Sequence, residues 1–235
     1  MPSYYCPDLN SSSTLIHIEG EEFHHLSHVK RIATGQTVKL NSGKGLLAVG
    51  TIVEIGKRSA EIEIQDLAYH EQPSPRYAIA FALLKNHHDE LLIEKCTELG
   101  ATAFYPLVTE FSVKSPSANT ISRYEKIALA AIKQCDNPWL PQIMPAAKLE
   151  QAINSIIQGG YTPVLCSELR PDAGVDSLDK QINPCFLIGP EGGFSNSEFQ
   201  QMLSLNIPTI SICKLITRAE TAAIAVSAQF TAIIN

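Results

Sequence analysis

LIGPEGGF, residues 187–194, closes an apolar run, PCFLIG (184–189), and turns the chain through three glycines, a proline and one acid. A buried strand that opens into a glycine-rich turn belongs to an open α/β sheet, where ligands bind beyond the carboxyl ends of the strands. Turns of this kind usually cradle phosphate. This one is built against it: GxxxxGK[ST] and GxGxxG are both missing, Pro190 has no N–H to donate, and Glu191 supplies negative charge. Two readings of the residues remain. Bare backbone at Gly189, Gly192 and Gly193 lets a neutral or cationic ligand, such as an adenine ring or a sulfonium, approach closely. Alternatively, the turn only joins strand to helix and Glu191 favours the helix N-terminus.

Outward from this stretch the texture alternates. YAIAFALL (77–84), AFYPLV (103–108), YTPVLCS (161–167) and PTISI (208–212) read as further strands. HHDELLIEKCTELG (87–100), SRYEKIALAAIKQC (122–135), LEQAINSIIQ (149–158), SNSEFQQMLSL (195–205) and TRAETAAIAVSAQFTAII (217–234) read as helices between and after them. Capping boxes are expected at Ser122 with Glu125 and at Ser195 with Glu198. Such alternation predicts an α/β domain with a mainly parallel sheet. Two other strand ends stand out beside the opening loop: LCSE (165–168) and ICKLITRAET (212–221).

The prolines of EQPSPRY (71–77) mark a boundary. Before it, VKL (38–40), LLAVGTIVEI (46–55) and SAEIEIQDL (59–67) read as strands joined by the turns NSGKG (41–45) and GKR (56–58). A short helix is expected around 21–32. The first 72 residues therefore predict a small β-rich domain, a barrel, and residues 73–235 the α/β domain.

Bulk properties narrow the class. The 235 residues are 45% hydrophobic and 18% charged, and no apolar run reaches the roughly 18 residues of a membrane span. The N-terminus has no secretory pattern. Six cysteines without a CxxC pair predict reduced core thiols in a cytoplasmic protein. A net charge of −6 opposes a broadly basic nucleic-acid binder, and residues 1–70 alone carry six Lys/Arg against eight Asp/Glu. His24 and His28 have zinc-like i, i+4 spacing, but no third or fourth ligand stands near them in sequence, so no metal is expected and a packed histidine is the better reading.

LIGPEGGFSNSEF (187–199) with ITRAETAAIAVSA (216–228) resembles the signature of the bacterial 16S rRNA uridine N3-methyltransferases, of the SPOUT superfamily of S-adenosylmethionine (SAM) enzymes. FHHLSHVKRIATGQTV (23–38), NSGKG (41–45), KNHHDELLIEKCTELGATAFYPLVTEFSV (85–113) and RYEKIALAAIKQC with LPQI (123–143) are similar to further family blocks in the same order. The sequence departs from the family at Leu215, which stands at a usually basic position. It departs also at Cys213 and Asn86 in place of Gly, at His87 and His88 in place of an acid-base pair, and at Phe111 in place of Arg.

The resemblance implies a PUA-like β-barrel that grips rRNA, a SPOUT domain with a C-terminal trefoil knot, bound SAM, a homodimer, and the 16S rRNA of the 30S subunit as substrate. It implies cofactor contacts at Leu165, Cys166, Gly189, Glu191, Gly192, Gly193, Ile212, Leu215 and Thr217, mostly through backbone. Arg218 is the candidate to stabilise the anion that forms as uracil N3 loses its proton, because a guanidinium stays charged and its fork matches two acceptors. Glu220 is a candidate proton acceptor or a structural partner. Lys30, Arg31, Lys44, Lys85 and Arg123 are candidate RNA contacts. Two other functions remain open: a ribose 2′-O methyltransferase of the same superfamily, and a non-catalytic rRNA-binding assembly factor.

Overall fold

The computed structural model describes residues 1–112, 116–117, 119–167 and 173–234. The chain forms two compact units: Met1–Gln72 with Ile132–Leu140, and Pro73–Ala131 with Pro141–Asn235. The end of one helix thus joins the first unit. There Lys133 pairs with Glu22, Lys39 with Asp136, and the Asn41 side chain donates to the Asn137 carbonyl at 2.8 Å.

The first unit is a five-stranded sheet in the order β1-β3-β4-β5-β2. Its strands are β1 (Ser3–Tyr5), β2 (Leu15–Glu19), β3 (Thr37–Asn41), β4 (Leu46–Ile55) and β5 (Ser59–Tyr69). Only the β1–β3 pair is parallel. Alternate side chains (Ile16, Ile18, Val38, Leu40, Ala60, Ile62) point into one core with Tyr4, Phe23 and Leu26, the period-2 burial of a sheet with one covered face. β1 and β2 were not legible in the sequence. The expected helix is present as α1 (Gly20–His24), which widens into a π-helical turn, His25–Val29, with Lys30 N–H donating to the His25 carbonyl at 3.0 Å. His24 and His28 stack, ring centroids 4.7 Å apart. His25 packs edge-on against buried Tyr4. Among the described residues no three metal-ligating side chains gather.

The second unit carries an all-parallel sheet in the order β12-β10-β11-β6-β7-β8, with β9 also on β7. In chain order its elements are β6 (Ala78–Ala82), α2 (His88–Glu98), β7 (Ala103–Val108), α3 (Thr120–Cys135), β8 (Gln142–Ile143), β9 (Ala147–Lys148), α4 (Leu149–Gln158), β10 (Thr162–Cys166), β11 (Pro184–Ile188), α5 (Asn196–Ser204), β12 (Thr209–Ile210) and α6 (Ala219–Ile234). Both faces of the sheet are buried, which explains the unbroken apolar runs. Cys185 and Leu187 face Ile153 and Ile156 of α4. Between them Phe186 turns the other way, onto Tyr77 and Phe230 of α6.

Three local expectations change. α3 starts at Thr120, so Ser122 and Glu125 lie inside the helix and not at its cap; at its start Thr120 Oγ1 accepts from Ser117 N–H at 2.9 Å. The strand expected at 208–212 pairs only at Thr209 and Ile210. All described cysteines are free, but only Cys6, Cys96 and Cys185 are buried, and Cys213 is exposed. The capping box of α5 forms as expected: Ser195 N–H donates to Glu198 Oε2 at 2.9 Å and Glu198 N–H to Ser195 Oγ at 3.3 Å. No described helix is long and apolar enough to cross a membrane.

Candidate functional site

Strand order decides where the site lies. β12, β10 and β11 are neighbours and parallel, so their carboxyl ends open side by side. The three segments singled out in the sequence leave from these ends. They enclose a cleft of about 490 Å³, within the roughly 300–1,000 Å³ typical of small-molecule sites. Leu165 and Cys166 come from β10; Gly189, Glu191, Gly192 and Gly193 from the turn after β11; Ile212, Leu215, Thr217 and Arg218 from the loop between β12 and α6. All nine cofactor candidates and Arg218 therefore line one cavity. Glu168, the last residue of the LCSE strand end, lies outside the described residues. Sequence reasoning missed Phe194 and Phe199, which give the cleft an aromatic wall and pack against the core.

The GPEGG loop is a tight turn closed by Gly193 N–H on the Pro190 carbonyl at 2.8 Å. Gly193 sits at φ +73°, a conformation that side chains disfavour. A Cβ on Gly189 would come within 3.2 Å of the Phe194 ring, so any larger residue there would press on that ring. Glu191 is exposed at the cleft, and its Oε1 lies 3.5 Å from Lys85 N–H in the loop after β6, the long end of a hydrogen bond. That β6–α2 loop turns through two consecutive left-handed residues, Asn86 (φ +53°) and His87 (φ +63°). Asparagine tolerates this backbone better than most residues.

Arg218 ends the last loop and is exposed, and its carbonyl accepts from Ala222 N–H at 2.8 Å to start α6. Its guanidinium makes no ion pair with any described side chain: Glu191 leans toward Lys85, and Glu220 is engaged elsewhere. Glu220 does not line the cleft. It is 7% exposed and holds His88 Nδ1 at 2.8 Å. Among the RNA candidates, Lys30, Arg31, Lys44 and Lys85 are exposed. Lys44 Nζ donates to the Pro7 carbonyl at 3.1 Å. Arg123 is committed to Glu90, with Nε and Nη2 each 2.8 Å from a carboxylate oxygen.

This geometry sits inside a known family pattern. Residues 70–231 match the model of an RNA methyltransferase domain, and residues 18–65 that of an RNA methyltransferase PUA domain. The chain belongs to the RNA methyltransferase family. It is 31% identical to ribosomal RNA small subunit methyltransferase E of Mesomycoplasma hyopneumoniae over 70% of this chain and 73% of that one. It is 29% identical to the protein of the same name from Synechocystis over 91% and 72% of the two chains. In fold it is similar to the Neisseria gonorrhoeae ribosomal RNA small subunit methyltransferase E bound to S-adenosyl methionine, with a TM-score of 0.89 over 99% of this chain and 98% of that one, at 23% identity. The family match joins a methyltransferase unit to a PUA unit in one chain, so the small N-terminal sheet is part of the family's architecture.

Proposed function

We propose that this family member transfers a methyl group from SAM to N3 of a uridine in 16S rRNA, in the assembled small subunit. In this reading it works in the cytoplasm as a homodimer, with the chain around the cleft threaded as a trefoil knot and the PUA unit helping to grip RNA. The observation that carries the reading is the cleft itself: an aromatic-walled cavity at three adjacent strand ends, without a phosphate-binding motif, with an arginine free of described ion pairs on its wall. The names of the relatives point to the same substrate class.

The residues present suit SAM. The glycine turn brings bare main chain to the cavity and Phe194 and Phe199 supply an apolar wall. The Glu191 carboxylate is placed to accept from an ammonium group. When bound, SAM supplies the methyl as an electrophilic sulfonium carbon. As the N3 proton passes to solvent, Arg218 holds the uracil while negative charge spreads over N3 and its flanking carbonyl oxygens, which a cation in a cleft stabilises better than water does. Glu220 acts on Arg218 at a distance, by fixing the start of α6 through His88. The remaining catalytic contribution is alignment of the two reacting atoms.

The test is transfer of labelled methyl from SAM to 30S subunits and to naked 16S rRNA, with the product nucleoside identified. Label on uracil N3 in subunits supports the reading. Label on ribose favours the 2′-O alternative, and SAM binding without transfer favours an assembly factor.

A further inference from the structure

We propose that Phe111 is the platform on which the target base stacks when it is presented to the cleft, an inference that rests on the RNA methyltransferase reading. Phe111 lies in the turn that leaves the carboxyl end of β7 and is 47% exposed. The turn is pinned. Ser112 N–H donates to the Thr109 carbonyl at 3.1 Å, Ser112 Oγ accepts from Thr109 N–H at 3.0 Å, and Glu110 N–H donates to Glu198 Oε1 at 3.0 Å. Glu198 is also the capping acid of α5, so the helix that follows the cofactor loop fixes the turn that carries the ring.

The ring stands beside the cleft, next to Gly192 of its wall, and is not itself part of the lining. A methyl placed on Gly192, which lines the cavity, would touch Phe111 Cβ at 3.5 Å and Cγ at 3.8 Å. One edge of Phe111 therefore rests against the cofactor loop while nearly half of the residue stays in solvent. The ring has no polar group, so its interaction with a base is through the π-face, which every base has. A base that leaves its stack to reach an active site loses stacking energy, and a fixed aromatic ring at the entrance returns part of it. Phe111 would thus lower the cost of presenting the base without choosing which base; that choice falls to groups that read its edge.

The test compares F111A, F111L, F111Y and F111W in the full-length protein. Methyl transfer is followed on 30S subunits, SAM affinity by calorimetry, and assembly by sedimentation. F111W is also placed in a W139F background, since the chain has a single tryptophan, and its fluorescence is followed as short single-stranded oligouridylate is added. Stacking predicts that F111A and F111L raise KM for the subunit about 10- to 100-fold. F111Y and F111W should stay near the parent, SAM affinity should be unchanged throughout, and oligouridylate should quench the F111W indole. The proposal is overturned if F111L equals the parent, if SAM affinity falls in step with transfer in F111A and F111L, if these variants change the sedimentation, or if the indole is not quenched. Absence of transfer by the parent protein to any RNA would instead sink the methyltransferase reading, and the quenching would still decide whether the ring stacks on a base.

Discussion

His88 Nδ1 lies 2.8 Å from Glu220 Oε1, so the first turn of α2 is fastened to the first turn of α6, two residues from Arg218. The same two helices are joined further along by Thr231 Oγ1 on the Leu99 carbonyl at 3.0 Å and by Ser227 Oγ on Cys96 Sγ at 3.4 Å. A polar seam thus runs between the two helices from the first turn of α6 onward. Glu220 is 7% exposed, so that seam needs both partners: a lone buried carboxylate would lose its solvation without compensation.

If the pair positions Arg218, its two halves are equivalent in function. H88A and E220A should each lower kcat about 3- to 10-fold and destabilise the fold by about 1–3 kcal/mol. The double variant should be little worse than either single one, because the second change removes a partner already lost. A proton acceptor behaves differently: E220A alone would then fall by about 100-fold or more while H88A kept most of its activity. Steady-state kinetics and thermal unfolding of the three variants decide between the two roles.

Arg218 carries the opposite expectation. With no described ion pair to lose, R218A should leave the melting temperature within about a degree, and SAM affinity nearly unchanged. Its loss should appear in kcat, about 10²- to 10³-fold, the usual cost of removing one group that stabilises transition-state charge. R218K should recover only part of this, since a point charge does not match two acceptors. A collapse of SAM binding in R218A would place the residue in the cofactor site instead.

The glycine turn separates stability from binding. G193A puts a side chain at φ +73° with nothing within 4 Å, so its cost is backbone strain alone, about 1–2 kcal/mol. G192A meets Phe111 at ordinary contact distance and should be nearly neutral in thermal unfolding. If the main chain of this turn faces the cofactor, G192A should nonetheless weaken SAM about 10-fold or more. Calorimetry beside a melting curve checks both, and a G192A protein with normal SAM affinity would remove Gly192 from the site.

How much of this was legible follows from what each feature depends on. Strand β11 and helices α4 and α6 announce themselves because long apolar runs and helical periodicity are local. The convergence of residues 165–166, 189–193 and 212–218 also followed, because a parallel sheet brings strand ends together whatever their sequence separation. Strands β1, β8 and β9 are two or three residues long and leave no periodic signal. The commitments of Glu220 to His88 and of Arg123 to Glu90 join residues far apart in the chain, and no single segment encodes them. The joining of Ile132–Leu140 to the first unit was hidden for a related reason: α3 runs without a break past the point where its packing partners change.

The thiols give the last prediction. Burial pushes the Cys6 and Cys96 thiols from an ordinary 9.0 up to about 12, and the buried Cys185 thiol upward as well. Thiolates react and thiols do not, so at pH 8 a maleimide or disulfide reagent should modify exposed Cys213 first. Cys213 also lines the cleft, so SAM should slow its labelling, with about one equivalent protected. The same shifts fix the sign of the alkaline response. Above pH 9 the unfolded chain releases thiol protons that the folded chain retains up to about pH 12, so the folded state binds more protons and stability must fall as pH rises through this window. Unfolding midpoints measured from pH 8 to 11 should therefore decline, less steeply in C96A when each protein is compared with its own midpoint at pH 8. A flat profile, or rapid labelling of Cys96 in the folded protein, would contradict the buried, protonated state of these thiols.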